Sequence, residues 1–437
     1  MLTLLIFIAV LAVLVLSHEV GHFIAAKKSG MKVYEFGFGF APRLFGIQRL
    51  TGTKLEKVSE QETVDVEIKD YQVSENAEVI EETVTDKIVE IDKEVPVKKW
   101  RWVWGNKPIL PENGNEQLYE GTVYSVNLIP LGGFVQIKGE DNNDTGPDSF
   151  AGKPAWQKAI VMVAGVTMNI ILAVVLFSVG YSVGLPMLTD KIADTSVIQD
   201  RTLQIAQVLP EKPAALADIK SGDLVMQVGD IVNPRLAEMQ NYVDAHQTEE
   251  VSFVIKRGDE LLNKKIKPMI YQDSGRGGIG VGIAEFGTVK YPWYKAIYHG
   301  VIDSGVYLKD IVVAFGSLIK GLFIGKEHIG DSVSGPIGIA VMTGDVAKMG
   351  FLYLLQFVAV LSLNLAVVNI LPIPALDGGR LMFLLLNKIN RRWTFLKYEQ
   401  TAHTVGFMLL LALVALVTIK DIGTFKGLFI GLWNKFF

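Results

Sequence analysis

Long apolar runs with few charges dominate the chain and predict helices that cross a membrane. Residues 159–189 and 349–376 contain no charged side chain, and residues 2–16 and 404–419 are predominantly aliphatic. A helix needs about 20 mostly apolar residues to cross the hydrocarbon core of a bilayer. The pattern therefore predicts a polytopic α-helical membrane protein with four transmembrane helices.

The first apolar run has an alternative interpretation as a cleavable signal peptide. No basic residue precedes it and no A-x-A-like cleavage site follows it, which disfavours that alternative. The run continues instead as SHEVGHFIAA before Lys27. We therefore expect a retained transmembrane helix.

Basic residues near the ends of the spans predict the orientation. They follow the first span (Lys27, Lys28, Lys32, Arg43), precede the second (Lys153, Lys158) and separate the third from the fourth (Arg380, Lys388, Arg391, Arg392, Lys397). The positive-inside rule then places both termini outside the cytoplasm, with residues 30–155 and 380–400 inside it. Lys420, Lys426 and Lys435 near the C-terminus oppose this assignment.

Alternating apolar and polar residues between the spans predict β structure. Val225–Val228 and Val251–Ile255 are typical of strands, and the SGD and RGD triplets are typical of tight turns. Residues 195–272 resemble a PDZ domain, an α+β fold that binds peptides by adding a strand to its edge. A generic small β-rich domain is the alternative.

The loop after the first span combines apolar and acidic parts. FGFGFAPRLFG (36–46) and YSVNLIPLGGFVQIKGE (124–140) are strand-like and rich in glycine. Between them, TVDVEIKDYQV and TDKIVEIDKEVPVKKWRWVW alternate charged and β-branched residues, which predicts half-buried antiparallel strands. A disordered acidic loop is the alternative, and Trp100, Trp102 and Trp104 argue against it.

Composition narrows the chemistry. Half of the 437 residues are hydrophobic and only 20% are charged, which favours a membrane protein. The net charge is −4, whereas a protein with a nucleic-acid-binding surface normally has an excess of basic residues. Residues 51–100 alone hold fourteen acidic and seven basic side chains. The chain has no cysteine, so a metal site must use His, Asp or Glu.

Ionisable residues inside apolar spans indicate the site. His18, Glu19 and His22 form an H-E-x-x-H motif in the first span. Helical residues four apart share one face, so both imidazoles can reach one zinc ion, and Glu19 can act as general base. A polar cluster that pairs with other helices is the alternative.

A third zinc ligand is expected from the third span, in NLAVVNILPIPALDGGR. Asp377 lies there, whereas His246, His299, His328 and His403 lie outside the spans or at an end. A His2Asp site leaves a fourth position open, as catalytic zinc requires. Pro372 and Pro374 each remove a backbone donor, so the helix is expected to break nearby.

The motifs together resemble the site-2 protease family of intramembrane zinc metalloproteases, and within it the bacterial regulator-of-sigma-E protease group. The resemblance rests on H-E-x-x-H in the first span and N-x-x-P-x-P-x-L-D-G at 369–378. GVTMN (165–169) and SGPIGIA (334–340) are similar to that group, though less specific. The resemblance implies one Zn²⁺ per chain held by His18, His22 and Asp377, with Glu19 as catalytic base.

The resemblance further implies residues that contact the substrate and a β element that re-enters the membrane. That element maps onto roughly 33–48 and 121–140, and its edge strand would hold an unwound substrate. The implied substrate-binding residues are Asn369, Asn364, Asn169, Gly132 and Gly133. Asn364 and Asn369 equally fit a role in hydrogen bonding between helices.

The implied function is cleavage of single-span membrane proteins, either anti-sigma-factor-type substrates or remnant signal peptides, in the bacterial cytoplasmic (inner) membrane. The PDZ-like domain, outside the cytoplasm, would bind or sterically filter peptide ends. Nucleic acid is not an expected partner. A zinc transporter and a catalytically silent scaffold are the alternatives.

The sequence predicts these segments: 1–29 first span; 30–150 loop with an acidic insertion at about 51–120; 155–188 second span; 195–272 PDZ-like domain; 291–348 amphipathic interfacial segment; 349–388 third span; 401–422 fourth span; 423–437 tail.

Overall fold

A computed structural model describes most of the chain. The described residues are 2–62, 87–105, 116–119, 121–140, 144–189, 198–258, 260–271, 275–324, 334–389 and 396–424. They form two compact units. The N-terminal unit is Leu11–Ala164, and the C-terminal unit comprises Met1–Val10 and Gly165–Phe437.

Long apolar helices form the framework of the chain. In chain order the helices are α1 (Leu2–Lys28), α2 (Ala155–Val183), α3 (Pro213–Leu216), α4 (Leu236–Ala245), α5 (Trp293–Ile324), α6 (Pro336–Met349), α7 (Phe351–Ile370), α8 (Asp377–Ile389) and α9 (Leu396–Thr424). Among the described residues, four are long and apolar enough to cross a membrane: α1, α2, α7 and α9 from Glu399. They overlap the four predicted spans, although α7 covers only the first part of the third.

A strongly bent antiparallel sheet occupies the N-terminal unit. Its strands are β1 (Val33–Glu62), β2 (Lys87–Trp104), β3 (Glu116–Tyr119) and β4 (Val123–Ile137). β1 and β4 each fold back on themselves, so that Glu35 pairs with Gln136 on one side and with Val123 on the other. The outer part of β1 pairs with β2 from Phe45 to Glu62. Strands are therefore found where the sequence predicts the re-entrant β element.

The acidic insertion is partly described. Its segment TDKIVEIDKEVPVKKWRWVW forms β2 from Lys87 onward, as the alternation predicts. The other predicted strand, TVDVEIKDYQV, lies outside the described residues. So does the predicted tail beyond residue 424.

The C-terminal unit carries an α+β module next to its helices. Its strands are β5 (Leu185–Leu188), β6 (Ile198–Val208), β7 (Leu224–Val228), β8 (Ile231–Val232), β9 (Val251–Arg257), β10 (Glu260–Ile266), β11 (Met269–Ile270), β12 (Gly277–Gly278) and β13 (Val281–Val289). The main sheet has the order β10-β9-β7-β6-β13-β5. Its buried core includes Phe253 and Ile255 of β9 and Met239 of α4. The sheet therefore extends past residue 272, because β13 pairs with β6.

The described part of the predicted amphipathic segment contains a long helix, α5, and then α6. One face of α5 packs on α2, where the rings of Tyr307 and Phe177 stack with centroids 5.3 Å apart. The hydroxyl of Tyr181 in α2 donates a hydrogen bond to Asp303. Large apolar side chains on the other face, including Tyr298 and Val313, are exposed.

The predicted third span is divided into two helices. α7 ends at Ile370, and α8 begins at Asp377 after a short non-helical turn. The turn contains Pro372 and Pro374, whose missing N–H groups end a helix, as the sequence predicts. Asp377 accordingly lies at the start of the second of these helices.

Candidate metal centre

Two imidazoles of α1 lie side by side in the N-terminal unit. His18 and His22 are separated by one helical turn, and their Nε2 atoms are 3.1 Å apart. Two nitrogens about 2.0–2.1 Å from a tetrahedral zinc ion lie about 3.3 Å from each other. The pair therefore presents its nitrogens at nearly the separation that zinc requires.

A backbone carbonyl sets the tautomer of His22. Nδ1 of His22 lies 2.8 Å from the carbonyl oxygen of Val161 in α2. Because a carbonyl oxygen only accepts, Nδ1 carries the proton of the neutral imidazole, which leaves the lone pair on Nε2. A metal-binding histidine usually has its second nitrogen held in this way. This contact therefore prepares Nε2 of His22 as a ligand atom.

A glycine of β4 brings the sheet against Glu19. A Cβ atom added at Gly133 would lie 3.3 Å from Cγ of Glu19 and 3.1 Å from Cγ1 of Val15. Gly133 lacks that atom, so the strand can approach α1 closely. Gly132 has φ of +90°, which favours glycine, and an added Cβ would lie 2.6 Å from the ring of Phe40. The structure thus places one of the two predicted glycines next to the predicted base and the other at a turn.

Asp377 lies in the C-terminal unit, at the first residue of α8. Its side chain is half-buried, and the helix N-terminus favours a negative charge there. Side chains at Gly378 and Gly379 would collide with the carbonyl oxygens of Ile370 and Ile373, respectively. The two glycines after Asp377 therefore allow the start of α8 to pack directly on the backbone that ends α7.

The turn before Asp377 is held by α9. Ala375 has φ of +84°, an unfavourable conformation for a residue with a side chain. Its N–H donates a hydrogen bond of 2.8 Å to Nδ1 of His403. An added Cβ at Gly406 would lie 2.6 Å from the carbonyl oxygen of Pro374. His403 and Gly406, three residues apart on one face of α9, thus form the seat of this turn.

His403 was not among the predicted site residues, because it lies at the end of a span. An imidazole inside an apolar helix is costly without a partner, and that cost was the signal. Its partner is a backbone amide two residues from Asp377.

The predicted asparagines have different surroundings. Asn169 is fully buried, and its backbone carbonyl oxygen accepts a 2.7 Å hydrogen bond from the hydroxyl of Ser362. Asn364 donates to the carbonyl of Val360 in its own helix at 2.9 Å. Asn369 is half-buried in the last turn of α7. The contact of Asn364 lies within its own helix, so it is not the hydrogen bond between helices that the alternative predicts.

The donor types fit zinc. His18, His22 and Asp377 are each half-buried and offer two imidazole nitrogens and one carboxylate oxygen. Zinc accepts such ligands in catalytic sites, and a chain without cysteine has no thiolate to offer.

Comparison with known proteins gives the family. The model of Peptidase family M50 matches residues 6–56 and 114–413. The zinc metalloprotease RasP of Geobacillus kaustophilus is 29% identical in an alignment of 447 positions, which covers 96% of this chain and 97% of that protein. The regulator of sigma-W protease RasP of Bacillus subtilis is 28% identical in an alignment of 452 positions, with coverages of 96% and 98%.

One further relative and one solved structure complete the comparison. A protein of Clostridium perfringens, whose name places it among the zinc metalloproteases, is 30% identical over 409 residues, with coverages of 94% and 95%. The PDZ domain of an SdrC-like protein from Listeria monocytogenes is 23% identical, covers 18% of this chain and 85% of that domain, and has a TM-score of 0.18.

Proposed function

The chain belongs to peptidase family M50, the site-2 protease family of zinc metalloproteases, and we propose that it cleaves single-span membrane proteins within or next to their transmembrane segments. The proposed substrates are anti-sigma-factor-type proteins or remnant signal peptides. The observation that carries the proposal is the paired Nε2 atoms of His18 and His22, 3.1 Å apart on an apolar helix, with Glu19 between them in sequence.

We assign the zinc ligands to His18, His22 and Asp377. When bound, zinc lowers the pKa of a water molecule and polarises a carbonyl group. Glu19 acts as general base: its carboxylate takes a proton from the attacking water and passes it to the nitrogen of the leaving peptide. The Val161 carbonyl keeps His22 in the tautomer that this role requires.

The sheet of the N-terminal unit is proposed to hold the substrate. A transmembrane helix shields its peptide bonds, so it must unwind and pair elsewhere before attack. Among the described strands, Gly133–Ile137 of β4 pairs on one side only, with β1. Because Gly133 lies against Glu19, a substrate strand added at this edge would have its backbone near the base. Asn369, Asn364 and Asn169 remain proposed contacts of the substrate or of the ligands.

The α+β module is proposed to act as a PDZ-like filter that binds or excludes peptide ends. A cavity of about 260 Å³ lies beside α4, lined by Met239, Val243, Tyr271 and the backbone of 277–281, among other residues. The Gly277 N–H and the Gln247 side chain lower the pKa of Asp244, whose carboxylate fixes this loop to α4. The cavity is thus bounded by a helix and a strand, as strand addition requires.

The protein is a multi-pass membrane protein. We propose that it lies in the bacterial cytoplasmic membrane with both termini and the PDZ-like module outside the cytoplasm. The basic residues cluster at the other ends of the spans, next to residues 30–155 and 380–400, and the positive-inside rule places those ends in the cytoplasm. The lipid bilayer is therefore also a proposed partner of the protein.

Replacing the base tests the proposal. We expect Glu19→Gln to lower cleavage of a single-span reporter in proteoliposomes by about 100- to 10,000-fold, the usual contribution of a general base. Zinc content, measured by inductively coupled plasma mass spectrometry, should be unchanged.

The matched control is Glu249→Gln, which makes the same chemical change at an exposed site in the module. It should cleave at the rate of the unmodified chain. Full activity of Glu19→Gln would exclude Glu19 as the base.

A further inference from the structure

A row of apolar side chains crosses the sheet of the N-terminal unit. Phe36 pairs with Tyr124, Tyr124 with Ile47, and Ile47 with Trp102. Residues directly opposite each other in a sheet lie on the same face. At one end of the row, the ring of Phe23 in α1 lies 5.3 Å from that of Phe36 and 5.9 Å from that of Tyr124. The surface that packs on α1 therefore continues across the sheet to β2.

The far end of this row is exposed. Trp100, Trp102 and Trp104 alternate along β2 and so share one face; their exposed fractions are 65%, 58% and 67%. The rings of Trp102 and Trp104 stack at 6.5 Å, and Phe45 lies within 6.3 Å of both. We call Trp100, Trp102, Trp104, Phe45 and Ile47 the tryptophan face. An exposed apolar patch of this kind marks an interaction surface.

Polarity changes in order along the bent sheet. Residues 36–42 and 127–137, around its two turns, contain no charged side chain. The first charge after the turn, Arg43, forms an ion pair with buried Glu35, which also accepts a hydrogen bond from Ser125. Paired charges are what a low-dielectric environment requires. On the other side of the tryptophans, residues 54–62 and 87–99 are rich in Lys, Glu and Asp.

The dimensions agree with a position in a bilayer. Strands rise about 3.3 Å per residue, so the row of Ile47 and Trp102 lies about 15–20 Å from the turn at 39–42. Half of a hydrocarbon core is about 15 Å thick. The same row is level with Phe23, near the end of α1, where Lys27 and Lys28 are exposed. From the turn outward, the sheet is therefore first apolar, then aromatic and then charged. This is the order of hydrocarbon core, interface and water in one half of a bilayer.

We propose that the tryptophan face contacts the headgroup zone of the phospholipid bilayer, at the membrane surface where α1 ends. Trp and Tyr prefer that zone because one part of each ring is apolar and the other forms hydrogen bonds. Exposed Arg49, opposite Trp100, is placed to meet a lipid phosphate. The β2 part of this face lies outside the residues that the M50 model matches, so the family fold does not require it.

Site-directed spin labelling tests this assignment, since the chain has no native cysteine. A nitroxide is attached to Trp102→Cys and, as a control, to Lys57→Cys in the charged part of β1. Both full-length variants are reconstituted into vesicles of phosphatidylcholine and phosphatidylglycerol. Collision rates with oxygen, which concentrates in lipid, and with a water-soluble nickel chelate are then measured.

We expect a clearly higher ratio of oxygen to nickel collisions at position 102 than at position 57. Equal ratios would show that the face lies in water, and a label shielded from both reagents would show that protein covers it. Either outcome overturns the proposal. If Trp102→Cys does not fold, Trp104→Cys gives a second label on the same face.

Discussion

At the scale of single residues, two imidazoles in apolar helices have opposite tautomers and different roles. His22 faces a carbonyl oxygen, so its Nδ1 donates and Nε2 is presented to a metal. His403 faces the N–H of Ala375, so its Nδ1 accepts and Nε2 carries the proton. The backbone partner, rather than the residue type, therefore decides whether a half-buried histidine presents Nε2 to the proposed metal or holds a turn.

The contact of His403 leads to a prediction about zinc. His403→Leu should lower zinc affinity about 10- to 100-fold, the usual cost of losing a group that supports a ligand, because Ala375 loses its acceptor and the turn before Asp377 relaxes. His403→Asn should retain most of the affinity, since the amide oxygen can accept the same hydrogen bond. Zinc is titrated against a competing chelator, with Asp377→Asn as the reference for a lost ligand.

The two His403 variants separate positioning from general stability. Both remove the same ring from its contact with Phe383, so a purely structural role would affect them equally. Equal zinc affinities for Leu and Asn would contradict the role of the hydrogen bond.

At the scale of elements, glycines decide which backbones can meet. Gly133 lets β4 approach α1, while Gly378 and Gly379 let α8 start against the end of α7. The sequence predicted a break at Pro372 and Pro374 from their missing donors. It did not predict that α9 would hold that break, because the contact of Ala375 with His403 joins residues 28 positions apart. Such long-range contacts leave no local periodicity.

The close approach at Gly133 predicts that one added methyl group disturbs the packing of β4 against α1. Gly133→Ala would place a Cβ 3.2 Å from the carbonyl oxygen of Gly37 as well as close to Glu19, and overpacking of this kind costs about 1–3 kcal/mol. Reporter cleavage should fall, while zinc content stays the same because the three atoms nearest to the added Cβ belong to Val15, Gly37 and Glu19 and not to a proposed ligand.

Gly105→Ala is the control for this change. Gly105 also lies in the N-terminal unit, and no atom of the described residues lies within 4 Å of an added Cβ, although its φ of +63° adds backbone strain. Cleavage at the unmodified rate by Gly133→Ala would refute the importance of the close approach.

At the scale of the whole molecule, the spans were predictable and the pairing of the sheet was not. Charge-free runs such as 159–189 identify helices because a membrane tolerates few unpaired charges. The double pairing of Glu35 depends on two bends whose register is set by contacts about 90 residues away in sequence. The alternation of residues in β2 predicted a strand but not the strand with which it pairs. The two-residue repeat of side chains along a strand does not depend on its register with a neighbour.

The register of the sheet predicts that the insertion can be removed. Lys54 of β1 pairs with Glu116 of β3, and the M50 model matches residues up to 56 and again from 114. Deleting residues 57–113 would leave Leu55, Glu56, Gly114 and Asn115 as a four-residue connection between paired strands, a length that hairpins commonly use.

The shortened chain should still bind zinc and cleave the single-span reporter at the full rate, because no proposed ligand, base or substrate contact lies in the deleted segment. The measurement compares cleavage and zinc content of purified full-length and shortened protein in the same vesicles. A shortened protein that binds zinc but fails to cleave would instead assign the insertion a part in holding substrate. Since the deletion also removes Trp100, Trp102 and Trp104, full cleavage would separate contact with the bilayer surface from catalysis.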